Sequence, residues 1–159
     1  GERMKKGLGI DTSKKAIDYA NETKKISNLR SLDFKLGNHH DLKNFKANGF
    51  DGVICSNVLD VVPYETSKEM IEAIDRILKP GGLLLIKLNF YLTEEMIQKI
   101  KMEKIGENTY SINGVLRGMN LNTDEWVSRF NHYQLLEVDE YQRIQKGPKD
   151  RILLLKKNI

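Results

Sequence analysis

Apolar residues recur along this chain with two periods, and the switches between them mark its elements. A short apolar run at 8–10 ends at Asp11 and reads as a strand. Ser13 follows as a helix N-cap, and Ala16, Ile17 and Ala20 share one face of a helix over 14–26. Leu32, Phe34 and Leu36 alternate as in a strand that ends at Gly37–Asn38. The run FDGVICSNVLDVVP, residues 50–63, predicts a buried strand over 52–55 that stops at small polar residues. Met70, Ile71, Ile74, Ile77 and Leu78 return to helical spacing, with Pro80–Gly81–Gly82 expected to end the helix and a buried strand expected over 83–88.

Beyond residue 90 the pattern loosens. A lysine-rich helix is predicted over 93–104, then GENTYSINGVLRGMN as loop or short strand, then a helix over 123–130 capped by Thr123. Two extended runs flank Gly147–Pro148–Lys149–Asp150 and predict an antiparallel hairpin. Strands alternating with helices, closed by a hairpin, imply an α/β fold with a mostly parallel sheet and an antiparallel end. In such sheets ligands bind at the carboxyl ends of the strands, which singles out Asp11, Asn38, Ser56 and Asn57.

Composition narrows the classes. At 159 residues, 40% hydrophobic and 30% charged, the chain suits one domain with one core. No apolar run is long enough for a bilayer and no signal peptide is visible. The one cysteine, Cys55, excludes an intrachain disulfide framework. A cytoplasmic protein without a membrane partner is the expectation. The net charge of +4 is dispersed over lysines with no basic stripe and interleaved aromatics, so a nucleic-acid partner is not expected. His39, His40 and Asp41 are adjacent, a spacing that rarely lets ligands converge, and no metal is assigned. Cys55 has no visible base partner and reads as a buried core residue.

Four stretches in order, GIDTS, GNHHDL, FDGVICSNVLDVVP and ILKPGGLLLI, together resemble the class I S-adenosylmethionine-dependent methyltransferases of small-molecule type. The resemblance covers about residues 5–89, and the terminal hairpin is similar to the family's closing strands. It implies a Rossmann-like sheet with helices on both faces, one domain over 1–159 with S-adenosyl-L-methionine as cofactor, and a substrate lid at 91–130. Read alone, Asp11 is equally a capping or solvated carboxylate; the resemblance implies that it meets the cofactor's ribose and that Thr12 also contacts the cofactor. Asn38 stands where the family often has Asp beside the adenine, with His39 along the ring edge; a plain Gly-Asn turn is the alternative. Ser56 and Asn57 would face the methionyl end. Asp60, Tyr64 and Arg117 are the substrate-side candidates; Asp60 and Tyr64 each have an ordinary structural role as the alternative, and Arg117 suits a substrate carboxylate or phosphate. Val58, Leu59 and Val62 would form an apolar wall. Tyr110, Met119 and Trp126 belong to the same region, with core packing favoured for Trp126.

The implied reaction is methyl transfer to a small molecule by in-line displacement, which needs positioning more than it needs a base. His40, His132 and Tyr64 are conceivable bases, and no catalytic residue is assigned. The absence of an Asn-Pro-Pro-Tyr-type motif argues against amino methylation of nucleobases or glutamine. The family's glycine-rich loop follows its first, central strand, and here only GERMKKGLGI precedes Asp11. Residues 2–6 read as the end of a helix, and Gly1, Gly7 and Gly9 do not replace the loop because no strand precedes them. The expectation is a sheet interrupted where that strand would lie, or repaired by a strand from another copy, so a homo-oligomer is allowed. Three alternatives follow: a methyltransferase-like binding module without cofactor competence, an RNA or protein methyltransferase, and, more distantly, a nicotinamide-dependent enzyme.

Overall fold

A computed structural model describes residues 5–159 of the chain. The helix end expected at 2–6 falls mainly on residues 1–4, outside the described residues. Contacts divide the chain into two compact units, Gly1–Phe45 and Lys46–Ile159.

In the first unit, strand β1 (Gly7–Asp11) leads into helix α1 (Lys14–Ile26) and returns as β2 (Leu32–Leu36), parallel to β1. The Ser13 side chain caps α1 by accepting from the Ala16 N–H. At the other end Asn28, with φ of 51°, lets Leu29 N–H reach the Lys24 carbonyl and closes the helix. A short 3-10 turn, His39–Asn44, follows β2.

In the second unit, β3 (Phe50–Ser56) is parallel to β4 (Leu78–Leu88), and helix α2 (Tyr64–Ile77) connects them. The C-terminal strands β8 (Tyr133–Gln142) and β9 (Lys149–Lys157) form an antiparallel hairpin, with β9 beside β4. The order is β3-β4-β9-β8, so β3 is an edge strand and β1–β2 is a separate sheet. Among the described residues no strand of the β1–β2 pair joins the four-stranded sheet. Lateral rows such as Cys55–Ile86–Leu153 and Leu84–Leu155 put buried side chains on the face that carries the core. On α2, Ile74 and Ile77 are buried at helical spacing. The other face includes Ile54, 75% exposed.

Between β4 and β8 lie helix α3 (Glu94–Lys99), strands β5 (Glu103–Gly106), β6 (Thr109–Ile112) and β7 (Val115–Met119), and helix α4 (Thr123–Val127). The three strands form an antiparallel sheet of their own.

Three expectations are corrected. Pro80–Gly81–Gly82 does not end α2: Leu78 is already extended and pairs with Phe50, and the register then jumps to Gly52–Leu83, so residues 79–82 form a bulge within β4. Full burial of Leu78 in the sheet outweighs another helical turn, and Pro80 favours an extended residue before it. The helix expected over 93–104 ends at Lys99, because Lys101 takes a left-handed φ of 54° and Met102 N–H bonds back to Ile97. The cap of α4 is Asn122, not Thr123; Asn122 and Glu125 exchange side-chain to backbone bonds in a capping box.

Candidate functional site

The first unit brings Asp11 and Asn38 to the carboxyl ends of paired strands. Asp11 is exposed, and its Oδ1 accepts from the Ser13 N–H at 2.7 Å, fixing the turn into α1. Its Oδ2 has no partner among the described residues. Thr12 is exposed beside it. Asn38 caps the 3-10 turn: its Oδ1 accepts from the His40 N–H at 2.8 Å, and its N–H donates to Asp41 Oδ2 at 2.8 Å. The His39 and His40 rings lie 4.0 Å apart. Next to this turn is a cavity of about 170 Å³, lined by Ile10, Lys35, Leu36, Gly37, Asp41, Asn44 and Phe45. Lys35, Asp41 and Asn44 are the polar side chains of its lining. The apolar part of its lining is Ile10, Leu36 and Phe45, and His39 is not among the lining residues. Phe45 went unread because a lone aromatic after a polar turn carries no periodic signal.

In the second unit β3 ends at Ser56 and Asn57. Asn57 has a φ of 51°, a left-handed conformation uncommon outside glycine. Its N–H still donates to the Lys87 carbonyl at 2.8 Å, so the ladder with β4 runs to this residue. Ser56 Oγ donates to Asn57 Oδ1, and Asn57 Nδ2 donates to Asn89 Oδ1, both at 3.4 Å. Leu59 is fully buried, as expected of the apolar wall.

Asp60, expected on the substrate side, points inward and is 5% exposed. Its Oδ2 accepts from the backbone N–H and the Nδ2 of Asn89, at 2.7 and 2.9 Å, while Oδ1 is buried without a partner among the described residues. Its main-chain carbonyl accepts from Met119 N–H at 2.9 Å, tying the end of β7 to the loop after β3. Arg151, 6% exposed, donates to the carbonyls of Asn89 and Leu121. Asn120 pairs twice with the backbone of Leu92. The start of the 91–130 insertion and its 119–121 stretch are thus fastened by Asp60, Arg151 and Asn120. Burial draws the Arg151 guanidinium below its ordinary pKa, and Asp60, Glu140, Tyr91 and Asp150 oppose that shift.

Tyr64, at the start of α2, is 45% exposed with the Arg129 guanidinium 4.6 Å from its ring centre. Arg117 lies exposed on β7, with no partner among the described residues. Trp126 is fully buried. Cys55 is buried, and desolvation, then the charge of Asp60, pushes its thiol up to about 12, so it is no nucleophile at neutral pH. Sequence reading missed Asn89, Asp150 and Arg151. Asp150 is 1% exposed and accepts from the Phe90 N–H, Tyr141 Oη and Arg143. The hydrophilic string around Lys149 looks like a turn; only the pairing of Leu88 with Arg151 carries it to the end of β4.

Comparison with known proteins gives this geometry a family. A ubiquinone biosynthesis O-methyltransferase from Xanthomonas axonopodis pv. citri is 38% identical over 77 residues, 45% of this chain and 31% of that protein. The chain thus matches about a third of the length of the curated relative. Among solved structures, a SAM-dependent methyltransferase from Methanosarcina mazei superposes with a TM-score of 0.76 at 19% identity, covering 96% of this chain and 82% of that one. The cyclase SpnF superposes with a TM-score of 0.69 at 15% identity, covering 96% and 66%. These two likenesses show the fold alone. The family model described as a methyltransferase domain matches residues 2–86, more than half of the chain and the stretch that carries Asp11, Asn38, Ser56 and Asn57; the chain belongs to that family.

Proposed function

We propose that the protein transfers a methyl group from S-adenosyl-L-methionine to a small-molecule acceptor by in-line displacement. The match to a methyltransferase domain over residues 2–86 carries this reading. The residues present suit the cofactor: Asp11 keeps one carboxylate oxygen unengaged at a strand end, and the apolar cavity beside Asn38 suits a ring. Asp11, with Thr12, would accept from the ribose hydroxyls. Asn38 and His39, with the cavity walls, would hold the adenine, and Ser56 and Asn57 the methionyl end. The cofactor supplies an activated methyl on a sulfonium; the chain's part is to bind, orient and exclude water. An oxygen acceptor is favoured, since the curated relative is named an O-methyltransferase. Tyr64 and Arg117 are the groups offered to that acceptor, Arg117 suiting a carboxylate or phosphate. The domain is a single one with 91–130 as its lid, and Asp60 holds the root of that lid.

Calorimetric titration with S-adenosylhomocysteine tests the reading. Micromolar binding, about −8 kcal/mol, is expected, and Asp11→Ala should weaken it at least about tenfold by removing a charge-assisted acceptor. Absence of binding by the unsubstituted chain overturns the proposal for this chain and favours a binding module without cofactor competence.

A further inference from the structure

Every hydrogen-bonding group of Asn89 is engaged within the second unit. Its N–H and Nδ2 meet Asp60 Oδ2 at 2.7 and 2.9 Å, and its carbonyl accepts from Arg151 at 3.1 and 3.3 Å. Its Oδ1 accepts from Arg143 Nη2 at 2.9 Å and from Asn57 Nδ2 at 3.4 Å. Charge at both ends fixes the orientation of this carboxamide. A flipped Asn89 would turn its oxygen to the Asp60 carboxylate and its NH₂ to the Arg143 guanidinium, losing two charge-assisted bonds and gaining two repulsions. Arg143 is itself held by Asp150. An acceptor oxygen is therefore fixed at the place where Asn57 meets Asn89.

Asn57 is held differently. Its backbone is set by the ladder bond to Lys87, but its side chain has one partner from another element, the Asn89 oxygen. That partner takes the NH₂ end and leaves Oδ1, which receives only a long bond from Ser56 Oγ, as an acceptor. We propose that Asn89 is a positioning residue that turns the Asn57 carboxamide oxygen-outward, so that Asn57 accepts from a cationic donor, the ammonium of the methionyl end of the cofactor. This rests on the placement of Asn57 under the proposed function. At 3.4 Å the contact biases the orientation rather than locking it.

A carboxylate has two equivalent oxygens, so Asn57→Asp removes the need for orientation, and this makes the test. With S-adenosylhomocysteine as probe, Asn89→Ala should weaken binding about tenfold in the parent chain. In the Asn57→Asp background the same change should have an effect below about threefold, whereas a purely structural loss would persist. Arg143→Gln, at a half-exposed residue, repeats the experiment should Asn89→Ala lose its cooperative melting. Equal weakening in both backgrounds, or none in the parent, overturns the positioning role. If Asn57→Leu binds as well as the parent, the placement of Asn57 fails and the proposal with it; that outcome is distinct from a failure confined to the Asn89 arm.

Discussion

A single side chain here joins elements that are far apart in sequence. Arg151 reaches the carbonyls of Asn89, at the end of β4, and Leu121, just before α4, and is almost fully buried. Arg151→Met would keep the volume but leave both carbonyls without their donor and the neighbouring acids without a cation. We expect a loss of about 3 kcal/mol, read as a lower urea midpoint at unchanged slope. Cys55 gives a pH signature. Its thiol ordinarily ionises near 9.0, and burial followed by the Asp60 charge raises it to about 12 in the fold. The folded chain therefore retains a proton that the unfolded chain loses, and stability falls as the pH rises through that window, by up to about 1.4 kcal/mol per unit. Tyr133, also raised by burial, pulls in the same direction. Cys55→Ala should flatten the alkaline slope in urea melts collected from neutral pH to pH 11; an unchanged slope would deny Cys55 that role. Burial of Cys55 was legible from its place in an apolar run. The charge beside it was not, because Asp60 reads as a substrate-side group until its bonds to Asn89 show it turned inward.

Elements were legible where period and cap agree, as in α1, and illegible where a turn decided the outcome. In the insertion, Asn113–Gly114 has the paired positive φ values, 51° and 73°, of a two-residue hairpin turn and joins β6 to β7. That dipeptide is a strong hairpin signal, yet the irregular flanks read only as loop or short strand. The two glycines of this hairpin should respond unequally to alanine. At Gly114 a Cβ meets nothing within 4 Å, so Gly114→Ala carries only backbone strain, about 1 kcal/mol. At Gly118, φ is +120° and a Cβ would stand 1.8 Å from the Asp60 carbonyl oxygen, where Met119 N–H now bonds. Gly118→Ala must lift β7 away from that loop, and we expect a loss at least twice as large, with Met119 amide protection lost in hydrogen exchange. At the end of α3, Lys101 occupies a left-handed position that glycine prefers, and Lys101→Gly should stabilise by about 0.5–1 kcal/mol in the same melts.

At the scale of the molecule, the alternation of strands and helices was enough to read the α/β class, but not to distribute the core. Among the described residues of the first unit, Ile17 is the one hydrophobic side chain that is buried; the second holds Leu59, Leu78, Leu84, Ile86, Leu88, Trp126, Leu153 and Leu155 with almost no exposure. A sheet of two parallel strands with one helix falls short of what an independently stable sheet needs, and parallel strands usually lie buried on both faces. Leu36 and Gly9 on β2 and β1 look apolar in sequence, yet Leu36 is 58% exposed. Periodicity names the face of a strand; it does not say what covers that face. Stability should therefore be uneven along the chain. In native-state hydrogen exchange we expect the amides of β1 and β2 to open at free energies well below those of β4 and β9, which should exchange only with global unfolding. S-adenosylhomocysteine should raise protection in β1 and β2 and in β9 by the same free-energy increment, because every opening that destroys the site, local or global, works against the same binding free energy. Equal protection in both units without ligand would mean that residues 5–45 belong to the same cooperative block as the four-stranded sheet, and that their exposed apolar faces are no measure of their stability.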